Sequence, residues 1–208
     1  MFGRSALSQY WADIRPYFVF SFILFFASMV AGGSSVESGF LERQVEALRA
    51  LGDLVGQAEN PQLFLFLIIL LNNVFKAIFT MYAGVIVCIW PVVMLVANGT
   101  FLGYFLIDQA GGAGLKPWLL LAVGILPHGI FELTAIFLAC AFGMRFGVML
   151  VRGIFGSLAG RPDPWRGFVR TAFGSVPAAV LIAVLLLVAA VVESTVTVWL
   201  IAQTYGAS

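Results

Sequence analysis

The sequence has little charge and few of the side chains on which most enzymes depend. Only 10% of its 208 residues are charged, against roughly a quarter in an ordinary soluble domain. It has one histidine and two cysteines, and both cysteines lie in apolar runs, where a thiol is typical of a small buried side chain. The formal net charge is +1, with no basic stripe that would bind nucleic acid. This composition excludes an ordinary soluble domain and a disulfide framework.

Long apolar runs dominate instead, and several approach the roughly 20 residues that a helix needs to cross a bilayer. We therefore predict an all-α, polytopic integral membrane helical bundle, a single domain over 1–208 with about five spans and one or two broken helices. The predicted spans are about 16–33, 62–82, 84–107, 117–144 and 176–200. The first run and the small residues after it would also fit a cleaved signal peptide, which the long flank before the run disfavours.

The region 62–107 allows two interpretations, because Lys76 is its only charge before Asp108. Two spans would fit, joined by a short uncharged turn. Alternatively, a helix broken at Asn72 and Asn73 would dip into the membrane, which is tolerated only where the irregular backbone contacts protein or a water-filled cavity.

Two charged connections predict the orientation. The acidic connection 34–60 contains apolar residues at helical spacing, so we expect an amphipathic helix at about 40–56 that lies on the bilayer, caps the bundle or docks a partner protein. The segment 145–170 holds five arginines against one aspartate, and its first half is expected to form an interfacial helix. By the positive-inside rule this segment and the N-terminus face the cytoplasm, and the acidic helix and the C-terminus face outward.

One apolar run contains a polar motif at its centre, formed by Pro127, His128, Gly129 and Glu132. Ionisable groups in a span cost about 2.5–3.5 kcal/mol on insertion scales, so such residues are expected to be functional or to have partners. A rise of 1.5 Å per residue places Asn72, Asn73 and Lys76 at the depth of this motif.

We therefore predict an intramembrane polar cluster. Its members are Asn72, Asn73, Lys76, Pro127, His128, Gly129 and Glu132. Within it, Lys76 is expected to pair with Glu132 across two helices. Asn98 and Glu193 are secondary polar candidates, and the same count places Glu193 near the outer surface.

Four interpretations of the cluster remain open. It could be a structural clamp between helices, which have no hydrophobic drive to associate in lipid. It could be a path for protons or ions, in which imidazole and carboxylate act as relay groups. A metal site of His128, Glu132 and Cys140 is a third interpretation, although three ligands on one helix would diverge. An intramembrane hydrolase is the weakest, since no serine nucleophile, aspartate pair or HExxH motif stands nearby.

Three segments resemble the stage II sporulation protein M family. They are LNNVFKAIF at 71–79, ANGTFLGYF at 97–105 and ILPHGIFELTAIFLACAFGMRFG at 125–147, and the N-terminal segment is similar too. The resemblance implies a multi-span protein of the engulfment machinery of sporulating cells. Such a protein is needed for septal membrane migration and holds together a complex that includes peptidoglycan-degrading partners. It implies neither enzymatic activity nor catalytic residues.

The leading prediction is a non-enzymatic scaffold or assembly protein of envelope remodelling in the plasma membrane. Expected partners are the lipid bilayer and peptidoglycan-remodelling or other envelope proteins, without nucleic acid, metal or cofactor; a homo-oligomer remains open. The alternative is a small transporter or channel for protons, ions or a small solute, using the Lys-His-Glu cluster.

Overall fold

The computed structural model describes residues 4–34, 39–86, 89–109 and 116–205, and these are helical almost throughout, with no strand among them. The helices are α1 (Arg4–Gly33), α2 (Gly39–Gln57), α3 (Pro61–Ala83), α4 (Trp90–Tyr104), α5 (Pro117–Leu120), α6 (Leu126–Leu158), α7 (Arg166–Val192) and α8 (Val198–Tyr205). Three π-helical turns continue or join them: π1 (Phe105–Gln109), π2 (Leu121–Ile125) and π3 (Glu193–Thr197).

Five helical segments of the described chain are long and apolar enough to cross a membrane. They are Ser8–Gly33, Pro61–Ala83, Trp90–Ile107, Pro117–Leu158 and Arg166–Thr204. This confirms the predicted all-α bundle with about five spans. The proposed break at Asn72 and Asn73 is wrong, because α3 runs through both asparagines without interruption.

The start of 145–170, expected to form an interfacial helix, is not a separate helix. Helix α6 continues past Arg145 as one element of 33 residues that ends at Leu158. Every residue from 141 to 147 is buried in the bundle, so packing holds the helix straight through the position where a new helix was expected to begin.

Helix α6 is the centre of the bundle and contacts α1, α3, α4 and α7. One apolar core joins α6 residues such as Ala135 and Phe142 to Met81 of α3 and Ile182 of α7. A second core joins Phe137 and Cys140 of α6 to α1 and α4. The span that carries the polar motif is therefore the element around which the others pack.

Helices α1 and α4 approach closely at two glycines of α4, Gly99 and Gly103. A Cβ atom added to Gly103 would overlap the backbone oxygen of Met29, and one added to Gly99 would meet the backbone oxygen of Phe25. Small residues four apart allow this backbone contact between membrane helices.

We expect Gly103→Ala to destabilise the protein by about 1–3 kcal/mol, because the new methyl group forces α1 and α4 apart. The matched control is Gly52→Ala on α2, where an added Cβ meets nothing within 4 Å. That control should be neutral or stabilising, since alanine favours helix by about 0.5–1 kcal/mol over glycine. Thermal unfolding in detergent measures both, and equal effects would contradict the close contact.

An ion-pair network joins α1, α6 and α7 at the end of the bundle that we call the arginine end. Arg145 is only 6% exposed, and its Nη2 lies 2.8 Å from Oδ2 of Asp13. Its Nε donates a 2.8 Å hydrogen bond to Oγ1 of Thr171. The same Asp13 oxygen also accepts from Arg170. From the sequence, these arginines were predicted only to set the orientation, and their ion pairs with Asp13 were not predicted.

We expect Asp13→Asn to cost about 3–5 kcal/mol, because it leaves the buried Arg145 guanidinium without its counter-charge. Asp53→Asn on the exposed face of α2 is the control for loss of one carboxylate, and it should leave stability nearly unchanged. Chemical or thermal unfolding in detergent compares the two. An Asp13→Asn protein as stable as the control would show that the network contributes little.

Candidate intramembrane polar site

Proline and two π-helical turns shape the polar site. Pro127 has no backbone N–H and its ring excludes the carbonyl of the residue four positions earlier, so the helix cannot run regularly through this point. Turn π2 lies immediately before Leu126, where α6 begins. Turn π3 is bounded by Glu193 and Thr197, and π2 and π3 contact each other. Such turns are rare and are often found at functional sites.

His128 lies where these turns meet and is only 8% exposed. Its Nδ1 lies 3.2 Å from Oγ1 of Thr197. Its Nε2 lies 3.9 Å from Oε2 of Glu132 and 3.9 Å from Oε2 of Glu193. The imidazole is therefore held on one side by a hydroxyl and faces two carboxylates on the other.

Glu132 is tied to α3 as well. Its Oε1 accepts a 3.0 Å hydrogen bond from Nδ2 of Asn73, and Asn72 donates at 3.3 Å to Oδ1 of Asn73. A further bond joins Nε2 of Gln62 to the backbone oxygen of Ser194 at 3.3 Å. Hydrogen bonds from the cluster thus link α3, α6 and π3.

The predicted pair of Lys76 with Glu132 is wrong, because no ion pair between them lies within 4.0 Å among the described salt bridges. Asn73, one helical turn earlier on α3, donates a hydrogen bond to the Glu132 carboxylate instead. Lys76 lines the same cavity.

The expected surface position of Glu193 is wrong as well. The helical segment continues to Tyr205, so Glu193 lies about 18 Å of helical rise from that end.

The metal-ligand group that included Cys140 is also wrong. Among the described His, Cys, Asp and Glu residues, one group is close enough to hold a metal ion, and it contains Glu193 in place of Cys140. Cys140 is buried in the apolar core of α6 instead.

A cavity of about 660 Å³ brings the predicted residues together. Its polar lining consists of Gln44, Asn72, Asn73, Lys76, Asn98, His128, Glu132 and Glu193, and Gly129 also lines it. Pro127 does not line the cavity but shapes the helix before it. The amide of Asn98 donates at 2.7 Å to the backbone oxygen of Met94.

Helix α2 forms one wall of this cavity, at the end of the bundle that we call the α2 end. Leu41 and Val45 are buried against Tyr104, next to Phe101 and Phe105. Leu48 and Leu51, one and two turns further along the same stripe, line the cavity. The first part of the apolar face of α2 therefore packs on its own bundle, whereas Leu48 is 46% exposed.

Toward the arginine end the cavity narrows. A small cavity of about 60 Å³ continues from Asn73 and Glu132 to Thr80 and Cys140. Beyond it, the backbones of α3 and α6 touch at Gly84 and Gly143, where an added Cβ would overlap backbone atoms.

Thr197 was not among the residues predicted from the sequence, and Glu193 was predicted only as a secondary member of the site. A usable signal was present, since residues four apart share one helix face, and Glu193 and Thr197 are the polar pair at that spacing in the last span.

We expect Asn73→Leu to lower stability by about 1–3 kcal/mol, because Glu132 then loses its buried hydrogen-bond donor. Asn72→Leu is the matched control, since this neighbouring amide is exposed and bonds only to Asn73. Thermal unfolding in detergent should show a clear loss for the first variant and a small one for the second. Similar losses would mean that the bond to Glu132 contributes little.

The family model described as Stage II sporulation protein M matches residues 21–198. No curated protein and no solved structure matches. The matched range covers the second, third and fourth spans in full, part of the first, most of the last, and the polar site. The chain therefore belongs to the stage II sporulation protein M family and is a multi-pass membrane protein related to sporulation.

Proposed function

We propose that this protein binds a small cationic species in the cavity beside α2 and passes it along the polar cluster, as a small transporter or channel does. The observation that carries the proposal is the grouping of two glutamates and a histidine, all within 4.8 Å, in a cavity of an apolar bundle. Ionisable groups inside membrane proteins commonly mark ion or proton pathways.

The charges of the cluster favour a cationic occupant. Two carboxylates this close repel each other strongly in a medium of low dielectric constant, so the repulsion must be offset by a proton on one of them or on the His128 imidazole, or by a shared cation. Lys76, a cationic side chain that lines the cavity, makes no ion pair with either glutamate within the described chain. A bound cation would supply the missing positive charge.

We propose further that the α2 end faces outward in the plasma membrane. The arginine end carries Arg145, Arg152, Arg161, Arg166 and Arg170, and the positive-inside rule assigns such a segment to the cytoplasm. The N-terminus is then cytoplasmic and the C-terminus outside. In this orientation the cavity receives its cation from the outside, and the close contact of Gly84 with Gly143 lies on the cytoplasmic side of it.

A non-enzymatic scaffold in envelope remodelling is the second candidate, and family membership is the observation that favours it. Its partners would be the bilayer and peptidoglycan-remodelling or other envelope proteins, and the hydrogen bonds of the cluster would serve to hold the spans together. The docking face proposed on α2 loses support, because Leu41 and Val45 are already buried. Neither candidate includes an enzymatic reaction.

Flux measurements in proteoliposomes test the leading proposal. We expect the protein to raise the flux of protons, monovalent cations or divalent cations above that of protein-free vesicles, and Glu132→Gln to abolish the increase. The matched control is Thr134→Val on the same helix, since that hydroxyl bonds only to the backbone oxygen of Ile130. It should keep full flux.

Size-exclusion and unfolding profiles establish that both variants fold. If the parent protein gives no flux of any of these cations, transport is refuted and the scaffold candidate remains.

A further inference from the structure

We infer that His128, Glu132 and Glu193 form a binding site for a divalent transition-metal cation, with Zn²⁺ and Mn²⁺ as the best candidates. The inference rests on the proposed function, since it names the class of cation that the cavity takes. The ligand atoms are Nε2 of His128 and one carboxylate oxygen from each glutamate, Oε2 in both cases.

The three atoms are close to metal-binding geometry. Nε2 lies 3.9 Å from each carboxylate oxygen, and all three atoms lie within 4.8 Å of one another. Metal–ligand bonds of about 2.0–2.2 Å place neighbouring ligand atoms roughly 3–3.5 Å apart. The side chains must therefore close by about 1 Å around the ion, a movement within reach of the outer torsions of two glutamates.

Outer hydrogen bonds orient two of the three ligands. In the tautomer that binds a metal through Nε2, Nδ1–H of His128 donates to Oγ1 of Thr197. Asn73 holds Oε1 of Glu132 and leaves Oε2 facing the histidine. This arrangement is typical of metal sites, where a second group fixes the ring and the carboxylate that bind the ion.

Charge and ligand type select the cation. Two carboxylates and a neutral imidazole carry two negative charges, which a divalent cation balances inside the apolar bundle. Imidazole suits transition metals, whereas Ca²⁺ takes six to eight oxygen ligands. Three protein ligands also leave a coordination position open toward the cavity, so the ion can exchange water or another ligand there.

Metal titration of the purified full-length protein in detergent tests the site. We expect Zn²⁺ and Mn²⁺ to bind at one ion per chain by calorimetry, and Co²⁺ to give visible absorption bands of a bound ion. His128→Asn and Glu193→Gln should lose this binding. Thr197→Val keeps all three ligands and should weaken binding about 10-fold to 100-fold.

The control is Glu46→Gln, which removes an exposed carboxylate of α2 outside the cavity and should bind like the parent. Binding of all three metals that is unchanged in Glu193→Gln and His128→Asn would overturn the site. Should these two variants fail to fold, unchanged binding in Thr197→Val would overturn it.

The same proteins in vesicles separate this inference from the proposed function. Glu132-dependent flux of other cations without one-to-one metal binding would refute the metal site and leave transport standing. Metal binding that depends on Glu193, without flux, would support the site and refute transport.

Discussion

Polar side chains at membrane depth are costly unless they find partners inside the protein, and this constraint organises the structure. Helix α6 carries many of the side chains that need such partners, because His128, Glu132 and Arg145 all lie on it. Neighbouring helices supply the partners in two layers. Asn73 and Thr197 meet α6 at the α2 end, and Asp13 meets it at the arginine end. Between the layers the helices meet through apolar core and glycine contacts.

The irregular turns of the backbone are part of the same arrangement. Pro127 interrupts the regular helix at the point where His128 enters the bundle, and π3 presents Glu193 and Thr197 to that imidazole. A π turn holds more residues per turn than an α-helix, which shifts the direction of the side chains that follow. The residues that clamp the spans therefore also form the wall of the cavity, and a structural role does not compete with a binding role.

The sequence was sufficient to predict five apolar helices, the polar motif on one of them and the depth of Asn73. It was not sufficient for side-chain direction. Lys76 and Asn73 lie one turn apart on α3, yet only Asn73 bonds to Glu132. A depth calculated from the rise per residue also depends on where the helix ends. The last helix continues to Tyr205, beyond the predicted end, so the depth predicted for Glu193 was too shallow. The bond of Asp13 to Arg145 joins distant segments and leaves no local pattern.

The two functional candidates lead to different consequences of one event, the entry of a cation between Glu132 and Glu193. Anything that binds only the folded arrangement stabilises it, so an occupied site would tie α6 to π3 more firmly than the present bond of His128 to Thr197 does. Helix α2 packs against Tyr104 and forms one wall of the cavity, so binding of a cation there would also affect the position of α2. An assembly role would then depend on the cation, whereas a transport role requires α2 or the contact of Gly84 with Gly143 to open.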